Sequence, residues 1–262
     1  VNNSGTVNTG NGTSDTGNNS LSATGTLTNS NTITLSGNGD SVSAASVSNS
    51  GTVSIGSGTS VSTTGTYTQS AGSTAVNGSL TATGGADFKT GTLSGNGTIN
   101  GNVTAEGGSI KPGLTASTGK LNISGNLDDS GATLDIRIGG SGSDQLGVSG
   151  SVDLGAGSKL DVSLTNGFVP TNNEEFTFLD FAPGELTAQP NTFFGSDGIS
   201  GLPQDFTFKV VEDGDDSLAL LFTQGVKPPP TVPEPTPIML LTGGVIGWAL
   251  LRQRRSLKRN NK

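Results

Sequence analysis

A glycine followed by a small polar residue and then a β-favouring one recurs along the chain, at Gly5-Thr6-Val7, Gly25-Thr26-Leu27, Gly51-Thr52-Val53, Gly65-Thr66-Tyr67, Gly78-Ser79-Leu80, Gly91-Thr92-Leu93, Gly101-Asn102-Val103, Gly125-Asn126-Leu127 and Gly150-Ser151-Val152. Each segment carries too few apolar side chains to bury a core alone, so the chain is restricted to folds in which successive segments stack. The steps of 20, 26, 14, 13, 13, 10, 24 and 25 residues cluster near one or two lots of about 12, a pattern that predicts a solenoid with glycines at its corners.

Alternation with period two is clearest at Leu121/Ile123, Leu134/Ile136/Ile138, Val152/Leu154 and Leu160/Val162/Leu164, each reading as a strand with one buried face. Nothing before residue 236 has helical periodicity. The fold class is therefore all-β: a right-handed parallel β-helix over residues 1–165, with coils of roughly 20 to 26 residues, aliphatic side chains inward and Ser, Thr and Asn outward. Its weakest strands lie in the first 60 residues. Nine of the ten Phe lie between Phe168 and Phe222, so residues 166–224 are expected to form an apolar β cap. Phe176/Phe178, Phe206/Phe208/Val210 and Leu218/Leu220/Phe222 alternate as strands, with Asp213-Gly214-Asp215-Asp216 as a hairpin turn between the last two. Such a closure protects the unpaired strand edges of a terminal coil.

With 42 Gly in 262 residues, 30% hydrophobic and 5% aromatic, the chain is too polar for a conventional compact core throughout, and a globular enzyme is not expected. The net charge of -8 hides a split. Residues 1–226 carry six Lys/Arg against twenty Asp/Glu, or -14, whereas residues 227–262 carry seven against one, or +6. The acidic part argues against a nucleic-acid partner, because such affinity rests on basic side chains neutralising phosphates. The absence of Cys excludes a disulfide framework and thiolate metal sites.

Without His or Cys, the Ser-His-Asp and Cys-His arrangements are impossible, as are the usual zinc sites. Paired acids at Asp128/Asp129, Glu174/Glu175 and Asp213/Asp215/Asp216 would suit a carbohydrate-active β-helix enzyme. Adjacent loop acids are mostly solvated surface, however, and the single Tyr67 and Trp248 supply no aromatic sugar platform. The Asp213–Asp216 turn offers oxygen ligands for calcium but lacks the twelve-residue EF-hand loop, and Gly139-Gly140-Ser141-Gly142 lacks the context of a phosphate loop. No catalytic, cofactor or metal residue is assigned. Thr-x-Thr triplets at Thr26/Thr28, Thr32/Thr34, Thr66/Thr68 and Thr81/Thr83 place two threonines on one strand face and resemble the ranks of ice-binding solenoids, although they are unevenly spaced.

The C-terminus has three parts. Val232-Pro233-Glu234-Pro235 is a proline-locked extended tetrapeptide that cannot continue a helix and stays open to a processing enzyme. Residues 238–251 follow as an uncharged apolar run, which as a helix would rise about 21 Å, short of the roughly 30 Å hydrocarbon core. Such a run makes a weak, temporary anchor. Arg252, Arg254 and Arg255 close the tail, and the positive-inside rule then keeps them in the cytoplasm with residues 1–231 outside. At these residues the chain resembles the PEP-CTERM sorting signals handled by exosortases in bacteria with an envelope beyond the inner membrane. The resemblance implies recognition and cleavage near Pro233-Glu234-Pro235 and release to the surface or into extracellular polysaccharide. An ordinary tail anchor is the bland alternative. The Leu-Pro-x-Thr-Gly motif of sortase substrates is absent, and a GPI signal would lack the arginines.

A second resemblance spans residues 91–180. Residues 91–103 (Gly-Thr-Leu-Ser-Gly-Asn-Gly-Thr-Ile-Asn-Gly-Asn-Val), Lys111-Pro112-Gly113, Lys120-Leu121-Asn122-Ile123, Ser143-Asp144-Gln145-Leu146 and Leu160-Asp161-Val162-Ser163-Leu164 are similar to passenger repeats of bacterial autotransporters. It implies a β-helix and names no ligand. The expected organisation is thus repeats at 1–165, a cap at 166–224, a Pro-rich linker with the sorting motif at 225–237, a transmembrane segment at 238–251 and a basic cytoplasmic tail at 252–262. An export signal is expected upstream of Val1. The expected role is that of an exported, non-catalytic surface or matrix protein, first a membrane-anchored precursor and then a surface or matrix form. Its expected partners are an exosortase, the inner membrane, and exopolysaccharide or cell-surface glycans. The alternatives are an ice-binding solenoid and a carbohydrate-active enzyme.

Overall fold

The computed structural model describes residues 1–9, 18–114, 117–187 and 205–225. These residues build an all-β parallel solenoid with three strands per turn. One turn consists of Ser60–Thr63, Tyr67–Gln69 and Ser73–Val76, and the next of Ser79–Ala82, Ala86–Phe88 and Thr92–Gly95. Each strand pairs in parallel with its counterpart one turn on, Val61 with Leu80, Tyr67 with Ala86 and Thr74 with Leu93. The first two faces belong to one 16-stranded sheet, because in earlier turns a single long strand, Ser20–Asn29 or Ser41–Asn49, runs across both. The third face is a 9-stranded sheet.

Apart from Gly25-Thr26-Leu27, which falls inside the strand Ser20–Asn29, the glycine triplets mark strand starts, and their uneven spacing has a geometric cause. Gly51-Thr52-Val53 and Gly91-Thr92-Leu93 open strands of the third face, Gly65-Thr66-Tyr67 one of the second, and Gly78-Ser79-Leu80 one of the first. A step between triplets therefore measures a fraction of a turn, one turn, or more. The true turn lengths follow from the register: 21 residues from Ser20 to Ser41, 19 from Ser60 to Ser79, 17 from Ala86 to Val103, 24 from Thr98 to Asn122 and 25 from Lys120 to Gln145. The expected lower limit of 20 is thus too high for the middle turns. Their corners shrink to two or three residues, which requires backbones to pass closely. Gly72, Gly91 and Gly108 stack at one such corner with φ of 69, 84 and 79°, and a Cβ on any of them would strike the carbonyl of the corner glycine one turn before.

Inward positions form apolar columns. Val61, Leu80, Ile99 and Ile123 follow one another in the first face and Val53, Val76, Leu93, Ile110 and Leu134 line the third, all buried. The second face breaks the rule that polar residues point outward. Asn29, Asn49 and Gln69 are fully enclosed, and Asn3 nearly so, each aligned with the next in register. Asn3 Nδ2 donates to Asn29 Oδ1 at 2.8 Å, and Asn29 Nδ2 donates to Asn49 Oδ1 at 2.8 Å. The remaining valences reach corner backbone: Asn29 Nδ2 also donates to the Thr52 carbonyl at 3.1 Å, and Gly51 N donates to Asn49 Oδ1 at 3.1 Å. Gln69 continues the column by accepting from Thr74 Oγ1 at 2.6 Å and donating to the Thr90 carbonyl at 2.8 Å. Tyr67 lies beside it with its hydroxyl 2.6 Å from Thr74 Oγ1. Its burial pushes the phenol pKa upward.

The last turn is closed by Glu174–Asp180, which pairs in parallel with Gln145–Val148 through Leu146 and Leu179. Its other edge meets Ser217–Gln224 in antiparallel fashion, and that strand pairs with Phe206–Glu212. Phe178 and Phe222 are fully buried. Phe176 packs edge-on against Phe168 at 5.6 Å and Phe222 at 5.9 Å. Gly214, at φ 76°, turns the hairpin. The strand after it departs from strict alternation, since Ser217, Leu218, Ala219 and Leu220 are all buried. It lies between two strands, while the segment beyond Phe181 returns to bridge Val152 through Leu186.

Candidate functional site

The change in turn length from 17 to 24 residues shapes the concavity that most invites a ligand. The added residues form the loop after Pro112, at the corner between the third and first faces, and the following turn adds a second loop after Gly139. Earlier corners at the same place, such as Asn77-Gly78 and Asn96-Gly97, are tight. The outward surface of the third sheet therefore runs from an open shelf beside Ala75 and Ser94 to a stretch overhung by Gly113 and Leu114. The resulting groove holds about 510 Å³.

Its walls are set by one ion pair and one clamp. On the floor, Ser94 aligns with Ala75 on one side and Lys111 on the other, and the Lys111 ammonium pairs with the Asp135 carboxylate. At the corner, Asp144 is fully buried and held from several directions. Arg137 Nε donates to its Oδ2 at 2.7 Å and Nη2 to its Oδ1 at 3.1 Å. The Arg137 amide donates at 3.0 Å and the Gly119 amide, from the first loop, also at 3.0 Å. Arg137 Nη2 in turn donates to the Ser117 carbonyl at 2.9 Å. The clamp joins the two overhanging loops. Gly113, at φ 85°, passes so close that a Cβ there would collide with both the Asp144 carboxylate and the Arg137 guanidinium.

A smaller concavity of about 340 Å³ lies on the second face around Asp87, Thr66, Asn102 and Thr104. Asp87 pairs with Lys89 at 3.2 Å through Oδ2, while its Oδ1 is buried without a hydrogen-bond partner.

The residues singled out in the sequence fall elsewhere. Asp128 and Asp129 occupy opposite sides of their strand, Asp128 outside and Asp129 inside. Asp129 takes the ladder position of the second face and accepts from the Ala132 amide at 2.7 Å and the Gly131 amide at 3.1 Å. Burial nevertheless dominates and pushes its pKa to about 6. Glu174 accepts from the Thr171 amide at 2.6 Å, a local cap, and Asp213, Asp215 and Asp216 sit in the hairpin turn. The four Thr-x-Thr triplets are divided among the three faces: Thr26/Thr28 and Thr66/Thr68 on the second, Thr32/Thr34 on the third, and Thr81 on the first with Thr83 just beyond it. Among the described residues no group of three or more acidic side chains is placed to hold a metal ion. Val232, Pro233, Glu234, Pro235, Arg252, Arg254, Arg255 and the apolar run 238–251 lie outside the described residues. Among those described, no helix is long and apolar enough to cross a membrane.

The groove residues Lys111, Asp135, Arg137 and Asp144 were not among the expected site residues. Lys111 and Asp144 stand in the stretches that resemble passenger repeats, but only the solenoid register brings them to one corner. The class that these observations define is a capped parallel β-solenoid with hydroxyl-rich outer faces. No protein-family model matches the chain, and no curated protein matches it.

Proposed function

We propose that this is an exported, non-catalytic surface or extracellular-matrix protein, delivered and processed through a PEP-CTERM signal and associated with exopolysaccharide or cell-surface glycans. The sorting role rests on the sequence of the tail, with Val232-Pro233-Glu234-Pro235 as the exosortase motif, residues 238–251 as a short transmembrane helix and Arg252, Arg254 and Arg255 as the cytoplasmic stop. The same reading takes the solenoid as right-handed, the hand that parallel crossovers adopt.

The observation that carries the adhesive reading is the outer surface. Ser41, Ser60, Ser79 and Thr98 follow one another in register on the first face, and Ser43, Ser62, Thr81 and Asn100 run beside them. With neighbouring strands about 4.8 Å apart, a polymer lying along the axis meets hydroxyl and amide groups at every turn. Many weak hydrogen bonds then add through avidity. Of the acids weighed as catalysts, Asp128 and Asp129 are separated by the strand itself.

One observation favours ice binding as a second reading: Thr6, Thr32, Thr52, Ser73, Thr92, Ser109 and Thr133 form one unbroken hydroxyl column on the third face. Fractionation separates the two readings. The adhesive protein is recovered with isolated extracellular polysaccharide and is lost from it in a host lacking the exosortase. An ice-binding protein instead slows ice recrystallisation in dilute solution and shows no retention on that polysaccharide.

A further inference from the structure

We propose that the groove on the third face is a binding subsite for an extended, uncharged polysaccharide chain lying along the solenoid axis. The proposal rests on the glycan-associated reading above and adds the place, the direction and the charge of the ligand.

The direction follows from the lining. Ala75, Ser94, Lys111, Asp135 and Ser163 stand on five consecutive strands of one sheet. Four intervals of about 4.8 Å make a track about 19 Å long, perpendicular to the strands. A peptide strand is a poor occupant, because it adds to a sheet edge through main-chain hydrogen bonds, and the backbone groups under this groove are already paired to neighbouring turns. An extended chain that carries its hydrogen-bonding groups on its own periphery is the better match.

The chemistry follows from the polar groups. The floor offers Thr92, Ser94 and Ser163 hydroxyls and the Asn77 amide, while the 40% exposed Leu114 gives an aliphatic flank. Sugars present both surfaces, hydroxyls around the ring and C–H groups on its faces. Both cations of the groove already have carboxylate partners, Lys111 in Asp135 and Arg137 in Asp144. Their geometry is thus held for hydrogen bonding without leaving an unmatched positive charge for an anion. Residues 1–226 moreover carry a net -14, which repels polyanions such as uronate or sulfated chains. A neutral glycan avoids that repulsion.

The test uses the full chain in mild detergent, titrated calorimetrically with neutral hexasaccharides of glucan and mannan type, with a uronate hexamer and with glucose. At least one neutral hexasaccharide should bind about tenfold more tightly than glucose, with little change between low and high salt. Ser94→Ile, which fills the floor with a strand-compatible side chain, should weaken that binding about tenfold, whereas Ser48→Ile, outward on the second face, should leave it unchanged. Lys111→Gln provides a second, less intrusive groove variant with the same expected direction, and thermal melts confirm that each variant is folded. Failure of every neutral hexasaccharide to bind, preference for the uronate, or equal loss in the Ser48 and Ser94 variants would overturn the groove assignment. A chain that still fractionates with matrix polysaccharide while Ser94→Ile binds normally would overturn the groove and keep the broader reading.

Discussion

Asn29 donates a side-chain hydrogen bond to Asn49 across one turn of the solenoid, at 2.8 Å and with both residues fully enclosed. The interior of this protein is therefore held by amide groups as well as aliphatic columns. Buried amides of this kind stabilise little in net terms when satisfied, but they are expensive to orphan.

Replacing Asn29 by Ala should accordingly destabilise the fold by about 2 kcal/mol, since Asn3 loses its acceptor and Asn49 its cross-turn donor. The neighbouring outward Thr28→Ala should cost no more than about 0.5 kcal/mol. Denaturant titrations of the two variants against the parent chain check the contrast. Equal costs would mean that the ladder carries no special share of stability.

Two enclosed acids should tilt stability with pH in opposite directions. Asp40 has a lowered pKa because the Thr9 hydroxyl donates to it, at 2.7 Å, aided by the Asn19 and Gly37 amides. Its contribution is present above the unfolded carboxylate value of 3.8 and is lost as pH falls through the lower folded value. Asp129 titrates near 6 in the fold, so the folded state binds the extra proton. Its contribution is complete below 3.8 and disappears as pH rises through about 6. Asp129→Asn should thus raise the melting temperature at pH 8, by a stability gain of about 2 kcal/mol, and leave it nearly unchanged at pH 4. Scanning calorimetry at the two pH values reads the difference directly. A gain of equal size at both would assign the effect to packing.

The Arg137–Asp144 clamp predicts a local effect as well as a global one. Asp144→Ala removes the acceptor of the Gly119 and Arg137 amides together, at a cost of about 2 kcal/mol after allowing for the partial exposure of Arg137. Hydrogen exchange at the Gly119 amide should accelerate, while that at Ala86, in the tight middle turns, should hold. Gly113→Ala should produce the same local signature, because its Cβ enters the space of the clamp. Protection at Gly119 unchanged in both variants would contradict the tie between the loops.

The strands were legible wherever aliphatic residues alternate, as at Leu121/Ile123 and Leu134/Ile136/Ile138, and so was the solenoid class. The ladder was not. Asn29 and Asn31 are the same residue two positions apart, both followed by small polar residues, yet Asn29 is buried and Asn31 exposed. The difference lies in which of them faces Asn3 and Asn49 one turn away, a relation that needs the register. The groove left a trace in the sequence: the triplet step grows from 10 residues at Gly91–Gly101 to 24 at Gly101–Gly125. Much of that jump is a change of face, since Gly91 opens a third-face strand while Gly101 and Gly125 precede second-face ones, so only the register turns the step into a turn length and locates the overhanging loop. What the step could not supply is the pairing of Arg137 with Asp144, which depends on how the next loop folds back.

The central claim, that the chain is exported and handed over through its C-terminal signal, is tested most directly by the intact mass and cellular fraction of the mature protein in a host with an exosortase. The chain should be expressed there with its upstream sequence, and the parent compared with Glu234→Ala. The account predicts a parent product shortened near Pro233-Glu234-Pro235 and recovered outside the inner membrane, with the variant full-length and membrane-bound. A parent chain that stays uncut in the membrane would contradict it and reduce the tail to a plain anchor.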